Sequence, residues 1–300
     1  MESEKIFYHL FANGDDAKGF ITSETDSKAA FNRFGICAYY SGATVMSFSI
    51  EESHPHGLLH GTFLQCSRFK FLYETLTKHY IVSTRGSLDG VHFECEMYPI
   101  RDVGYLRNVG TYTIVQPTKD GKSVMPYDYF WGTGSMYFRD SNHIPIWQID
   151  NKGNILEVKT LGDYSVHRQR HILHSKKPLP PGWKVCNGIL LPDNYVNVVA
   201  FESIYQTYNC FRVFLCNNKQ RQEEVARQMA EVRGVMIEDG EARALCSELC
   251  RQTFGFRDPR RLNPQERLSL ALSAKRLHHL SIRQIATIVR LPREEIAKYL

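Results

Sequence analysis

His54-Pro55-His56 sets two imidazoles two residues apart, just after the apolar run Thr44–Ile50. Two residues is the repeat of a β-strand, so in an extended segment both rings leave the backbone on one face. Two imidazoles on one face supply half of a divalent-metal site; two solvated strand histidines are the plainer alternative. Farther along the chain, Tyr112 and Gln116 lie four residues apart. That spacing gives them a common face on a helix and equally on a strand. Tyr112 is one of sixteen tyrosines, so a half-buried aromatic is its plainer reading, and Tyr39, Tyr40, Tyr127 and Tyr129 are the alternative phenols.

The surrounding pattern says what must hold these groups. Lys5–Phe11 is rich in aromatic and branched residues and predicts a strand. Asn13-Gly14 and Gly19 predict a turn. Ser23–Tyr40 has helical spacing, with Thr22 or Ser23 as N-cap. Thr44–Ile50 and His54–His60 read as strands joined by a turn at Glu51–Ser53. Ser67–Val82 reads as a helix, and Val91–Ile100 as a strand ending at Pro99. The order β-α-β-β-α-β is the split βαβ arrangement of ferredoxin-like domains, an antiparallel four-stranded sheet with helices on one face. Val103–Gln116 is ambiguous: Thr111–Val115 is β-branched, Gly104 and Gly110 weaken a helix, and Pro117 should stop either element. Pro55 donates nothing to a ladder, which predicts an edge strand or a bulge there, and Gly57 lowers the strand propensity further.

Taken in order, these stretches resemble the single-tyrosine HUH transposases, in particular the REP-associated tyrosine transposases. FYHLFANG at 7–14 resembles the opening strand, and FITSETD at 20–26 the lead into the first helix. His54-Pro55-His56 falls on the His-hydrophobic-His motif, with Pro55 where the family has an aliphatic residue. TYTIVQPTKDG at 111–121 resembles the nucleophile segment, and PYDYFWGTGSMYF at 126–138 the aromatic stretch that follows. The resemblance covers about the first 138 residues. It implies an α+β HUH domain in which Tyr112 is the nucleophile and His54, His56 and Gln116 hold a divalent metal, Mg²⁺ or Mn²⁺. It also implies a single-stranded or hairpin DNA partner, cut through a covalent 5′-phosphotyrosine.

The rest of the chain is read more coarsely. Met125–Phe138 is an aromatic, glycine-containing loop that could stack bases or pack in the core. Lys176–Trp183 is proline-rich and predicts a boundary, and Phe201–Cys216 a buried helix. Lys219–Ala230, Pro264–Leu277, Ile282–Val289 and Arg293–Leu300 read as helices. Residues 212–300 carry 17 Lys and Arg against 11 Asp and Glu, while the whole chain is only +5. The excess is densest between Arg257 and Arg293, so Arg257, Arg260, Arg261, Lys275, Arg276 and Arg283 are the candidate DNA contacts. Ser281–Leu300 resembles a helix-turn-helix in which Arg290 replaces the turn glycine. Glu294-Glu295 would face DNA there, which favours the alternative of packing or homodimerisation.

No Cys-x-x-Cys pair occurs among the eight cysteines, which argues against a structural zinc site. No apolar run reaches membrane length, and the N-terminus lacks a basic segment followed by an apolar one, which predicts a cytoplasmic protein. The sequence therefore predicts three segments: an HUH catalytic domain at 1–140, an extension of unassigned role at 141–218 and a basic helical module at 219–300. The function expected is a metal-dependent single-stranded DNA endonuclease and strand transferase. Its rivals are a non-catalytic DNA-binding regulator derived from a transposase and, within the same chemistry, a relaxase or replication-initiation nuclease.

Overall fold

The structure is a computed structural model that describes residues 4–12, 17, 19–119, 125–140, 142–216, 239–278, 280 and 282–299. The turn expected at Asn13-Gly14 and the helix expected at Lys219–Ala230 lie outside these residues. The chain divides into two compact units, Met1–Gln222 and Glu223–Leu300.

The first unit is α+β. Its first seven elements are β1 (Ile6–Ala12), α1 (Glu24–Ser41), β2 (Thr44–Ile50), β3 (Pro55–Gly61), α2 (Phe63–Arg85), β4 (Cys95–Ile100) and α3 (Val103–Lys119). The four strands form one antiparallel sheet in the order β2-β3-β1-β4. Pro99 is tolerated because β4 is an edge strand. Pro55 corrects the sequence expectation. Its strand is interior, between β2 and β1, and Pro55 is the first residue of that strand, where a missing donor is tolerated. The register irregularity lies instead on β2, between Val45 and Ser47.

Local chemistry fixes the helices. Ser23 caps α1 by accepting from Asp26 N, and Gly42 closes it with φ +70°. A capping box of Thr62 and Gln65 starts α2 four residues before the expected start at Ser67. The two helices are pinned at Asp26, which accepts from Thr22 N at 2.8 Å, Tyr80 Oη at 2.7 Å and Arg85 Nη2 at 2.9 Å. Neighbouring residues of β3 serve opposite faces of the sheet. A Cβ on Gly57 would come within 3.1 Å of the Phe34 ring of α1. The His56 ring meets Tyr112 of α3. Gly57, unpromising by propensity, is thus what lets α1 lie close on the sheet.

The ambiguous segment is a helix. It runs through Pro117 to Lys119, so Pro117 does not stop it. Proline in the last turn removes only one late intrahelical bond. Gly110 does not loosen α3 but admits a neighbour. A Cβ there would sit 2.5 Å from Tyr205 Oη and 3.2 Å from Phe201 Cε2, both on α5 (Val198–Tyr205). The expected helix over Phe201–Cys216 is two, α5 and α6 (Tyr208–Cys216), broken at Gln206 with φ +66°.

The remaining elements of this unit pack against α1. They are a small sheet of β5 (Lys159–Thr160), β6 (Lys184–Cys186) and β7 (Ile189–Leu190), and helix α4 (Val166–Leu173). The buried Asn32 side chain donates to Ile172 O and Gly188 O and accepts from Leu190 N. Leu179 is buried beside Ile36 and Leu161, so the proline-rich 176–183 stretch lies within the unit and is not a boundary between units.

The second unit contains α7 (Asp239–Phe254), which the sequence reading did not identify, then α8 (Pro264–His278), α9 (Ile282–Val289) and α10 (Arg293–Ala297). Cys246, Leu249, Leu270, Ala274, Ile285, Val289 and Ile296 form its core. Arg290 holds φ +53° in the turn between α9 and α10, the position where a glycine is usual. All eight cysteines are free, and no helix among the described residues is long and apolar enough to cross a membrane.

Candidate active site

The face of the sheet under α3 holds several buried polar groups among apolar ones. Strand alternation puts His9 of β1, Ser47 and Ser49 of β2 and His56 of β3 on it, all fully or almost fully buried. Ser47 Oγ and Thr113 Oγ1 share a hydrogen bond of 2.7 Å, which fixes α3 over β2. Tyr112, the residue before Thr113, is then held with its ring centre 5.2 Å from that of His56, edge to face, and 6.0 Å from that of His9. His9 stacks on His56 at 5.7 Å. Three rings from β1, β3 and α3 thus meet in one place.

His54 stands just before β3, its ring 4.7 Å from that of His56. Its Nδ1 is 2.6 Å from Ser53 Oγ. In the tautomer that gives the Nδ1 proton to Ser53, Nε2 carries the lone pair that a metal requires. The turn joining β2 to β3 brings in a third group. Glu51 N donates to His54 O at 3.1 Å, and the Glu51 side chain is buried beside the two histidines. One ligand atom from each of Glu51, His54 and His56 falls within 4.8 Å of the others. Donors on one ion, each roughly 2.1 Å from it, lie at most about 4.2 Å apart. An ion would therefore draw this cluster in by about half an ångström. A carboxylate out of water needs a compensating charge, a proton or hydrogen bonds, and a cation supplies the first.

Of the residues singled out in the sequence, His54, His56 and Tyr112 come together. Gln116 lies one turn beyond Tyr112 on the same face of α3, and its buried Oε1 accepts no hydrogen bond among the described residues. Two residues of the cluster were missed. Glu51 lay in what reads as a plain turn. His9 had a signal, since it shares a strand face with Phe7 and Phe11, but its nearness to His56 depends on pairing across 47 residues.

Three of the alternative phenols pack elsewhere, and the fourth, Tyr129, lies at the end of β2 next to Glu51. Tyr40 Oη donates to Pro178 O, Tyr39 packs on Tyr40 and Trp183, and the Arg139 guanidinium lies over Tyr127. Tyr129 Oη donates to Ile50 O. The aromatic loop covers the open edge of β2. Ile50 N donates to Trp131 O at 2.8 Å and Thr133 N to Phe48 O at 2.9 Å, with Trp147 buried behind. Edge protection is thus its structural role.

The basic candidates are dispersed over the second unit. Arg257 and Arg261 are exposed, Lys275 is half-buried on α8, and Arg276 is on the same helix with its side chain outside the described residues. Arg260 pairs with Asp258 at 2.9 Å. Arg283 lies on the exposed face of α9.

No family model matches the chain, and no curated protein matches it. Among solved structures it is similar to that of a REP-associated tyrosine transposase bound to a REP hairpin. The identity is 11% and the TM-score 0.32, and the match covers 44% of this chain and 78% of that one. At that score the likeness adds nothing to the site, which stands on its own geometry.

Proposed function

We propose that the first unit is a ferredoxin-like HUH domain that cuts and rejoins single-stranded DNA through Tyr112. The observation that carries this reading is the packing of the Tyr112 phenol against His56, itself one of three clustered donors. Tyr112 Oη attacks the phosphorus, the Oη–P bond forms and the P–O3′ bond breaks. The phenolic proton passes to the departing 3′ oxygen. The DNA 5′ end is left on the enzyme as a phosphotyrosine ester, so the bond energy is kept for rejoining. His54, His56 and Glu51 would hold Mn²⁺ or Mg²⁺, with Gln116 as a further donor; the ion would polarise the phosphoryl oxygens. Ser53 orients His54, and the Ser47–Thr113 bond sets the height of α3 above the sheet.

The test is incubation of the full chain with hairpin-containing single-stranded DNA and Mn²⁺, followed by denaturing electrophoresis. A protein–DNA adduct that needs the ion supports the reading. DNA binding without any adduct, over a range of hairpins and ions, overturns it and leaves the non-catalytic regulator.

A further inference from the structure

The second unit has a concave site that the proposed chemistry does not use. Arg243 of α7, Arg283, Gln284, Thr287 and Ile288 of α9, and Arg293 of α10 line one open pocket of about 250 Å³. The fold explains why they converge. Ile285, Ala286 and Val289 turn one stripe of α9 into the core. Residues 283, 284 and 287 therefore lie on the outward side of α9, and Ile288, half-buried against the core, borders them. The left-handed turn at Arg290 then folds α10 back, so that its first residue, Arg293, borders the same hollow. Three guanidinium groups from three helices share one concavity, and none of the described residues that line it is acidic. The Glu294-Glu295 pair, expected to repel DNA, is not among them.

Guanidinium groups gathered in a hollow repel one another and concentrate positive potential there. A guanidinium is a planar fork of donors that matches a phosphate oxyanion, whereas the Thr287 hydroxyl donates to Arg283 O at 2.9 Å and is no ligand. The Ile288 side chain offers apolar surface beside the guanidinium groups. We infer that this pocket holds the phosphodiester backbone of a nucleic acid, with Arg243, Arg283 and Arg293 as its phosphate ligands. Arg283 and Arg293 belong to the stretch that the sequence marked as most basic, Arg243 does not, and of the three only Arg283 was among the candidate DNA contacts. The inference shares with the proposed function only the substrate class; it does not depend on Tyr112 or on a metal.

The experiment compares the full-length chain with its Arg243→Gln/Arg293→Gln variant, using fluorescence anisotropy of labelled oligonucleotides over a range of salt concentrations. Arg251→Gln/Lys298→Gln removes the same charge from two exposed residues of this unit that neither line the pocket nor belong to the candidate DNA contacts, and serves as the control. Circular dichroism confirms that both variants keep their helices. Each phosphate contact contributes roughly 0.7 to the log–log salt slope on single strands and 0.9 on duplex. The pocket variant should bind roughly tenfold more weakly, with a slope flatter by roughly 1.4 on single strands, and the control should change far less. Equal losses in both variants would mean that net charge alone matters, and would overturn the pocket. So would unchanged affinity, or loss of inorganic phosphate binding with DNA affinity intact, which would make the pocket a site for a free anion. Covalent adduct formation at saturating DNA, measured on the same variants, reads the Tyr112 proposal separately.

Discussion

The rings of His56 and Tyr112 meet edge to face, with centres 5.2 Å apart and planes at 87°. One comes from an interior strand and the other from the helix that crosses it, so neither can move without the sheet or α3 moving. Tyr112→Phe keeps this packing and removes one oxygen. It should abolish covalent DNA adducts and leave DNA affinity within about twofold, because the lost atom is the one that attacks phosphorus. Adducts that persist in the variant would move the nucleophile to another phenol.

The donor cluster makes a second prediction, and it separates two ligand sets. Glu51→Gln, His54→Ala and His56→Ala should each weaken Mn²⁺ binding by about tenfold or more in calorimetric titration. Gln116→Ala should cost less, because a neutral amide oxygen is a weaker donor than a buried carboxylate. If Glu51→Gln binds as wild type does while Gln116→Ala fails, the third ligand is on α3 and not in the β2–β3 turn.

The legible parts of this site are those encoded locally. Strand alternation and the Ser23 cap foretold β1, β2, β3 and α1, and the two-residue spacing foretold that His54 and His56 share a face. The capping box at Thr62 and Gln65 is a local signal as well, but the periodicity that places the start of α2 at Ser67 passes over it. What the sequence withheld depends on distant contacts. Propensity could not decide α3, because its Gly110 is matched to Phe201 and Tyr205, more than ninety residues away. Pro55 suggested an edge, but the position of a strand in a sheet is set by which strands pair. Glu51 has no local signature, and becomes a donor only when the turn closes on His54.

Gly110 offers a test of that distant matching. In an isolated helix Gly→Ala stabilises by about 1 kcal/mol. Here the new methyl would lie 2.5 Å from Tyr205 Oη, whose hydroxyl donates to Arg107 O at 2.7 Å. Both α3 and α5 are packed at this point, so Gly110→Ala should destabilise the first unit by about 1–3 kcal/mol in urea unfolding. The cost should shrink in a Tyr205→Phe background, where the nearest obstacle becomes Phe201 Cε2 at 3.2 Å. Additive effects of the two substitutions would show that the hydroxyl does not set the spacing.

The Asp26 network predicts how stability falls in acid. Burial alone would raise the carboxyl pKa. The hydrogen bonds from Thr22 and Tyr80, together with the Arg85 guanidinium, outweigh it and hold the pKa at about 2, below the ordinary 3.8. A carboxyl whose folded pKa is depressed contributes stability that is present above its unfolded pKa. That contribution fades as the pH falls from about 4 through about 2. A shift of nearly two units corresponds to about 2 kcal/mol. Asp26→Asn should therefore lose about that much at pH 7 and little at pH 2, so its stability should vary less than that of wild type across the interval. All three tryptophans, Trp131, Trp147 and Trp183, lie in the first unit, so their fluorescence during urea unfolding reports on this unit alone. Parallel stability curves for wild type and Asp26→Asn between pH 5 and pH 2 would show that Asp26 is not the group whose protonation loosens α1 from α2.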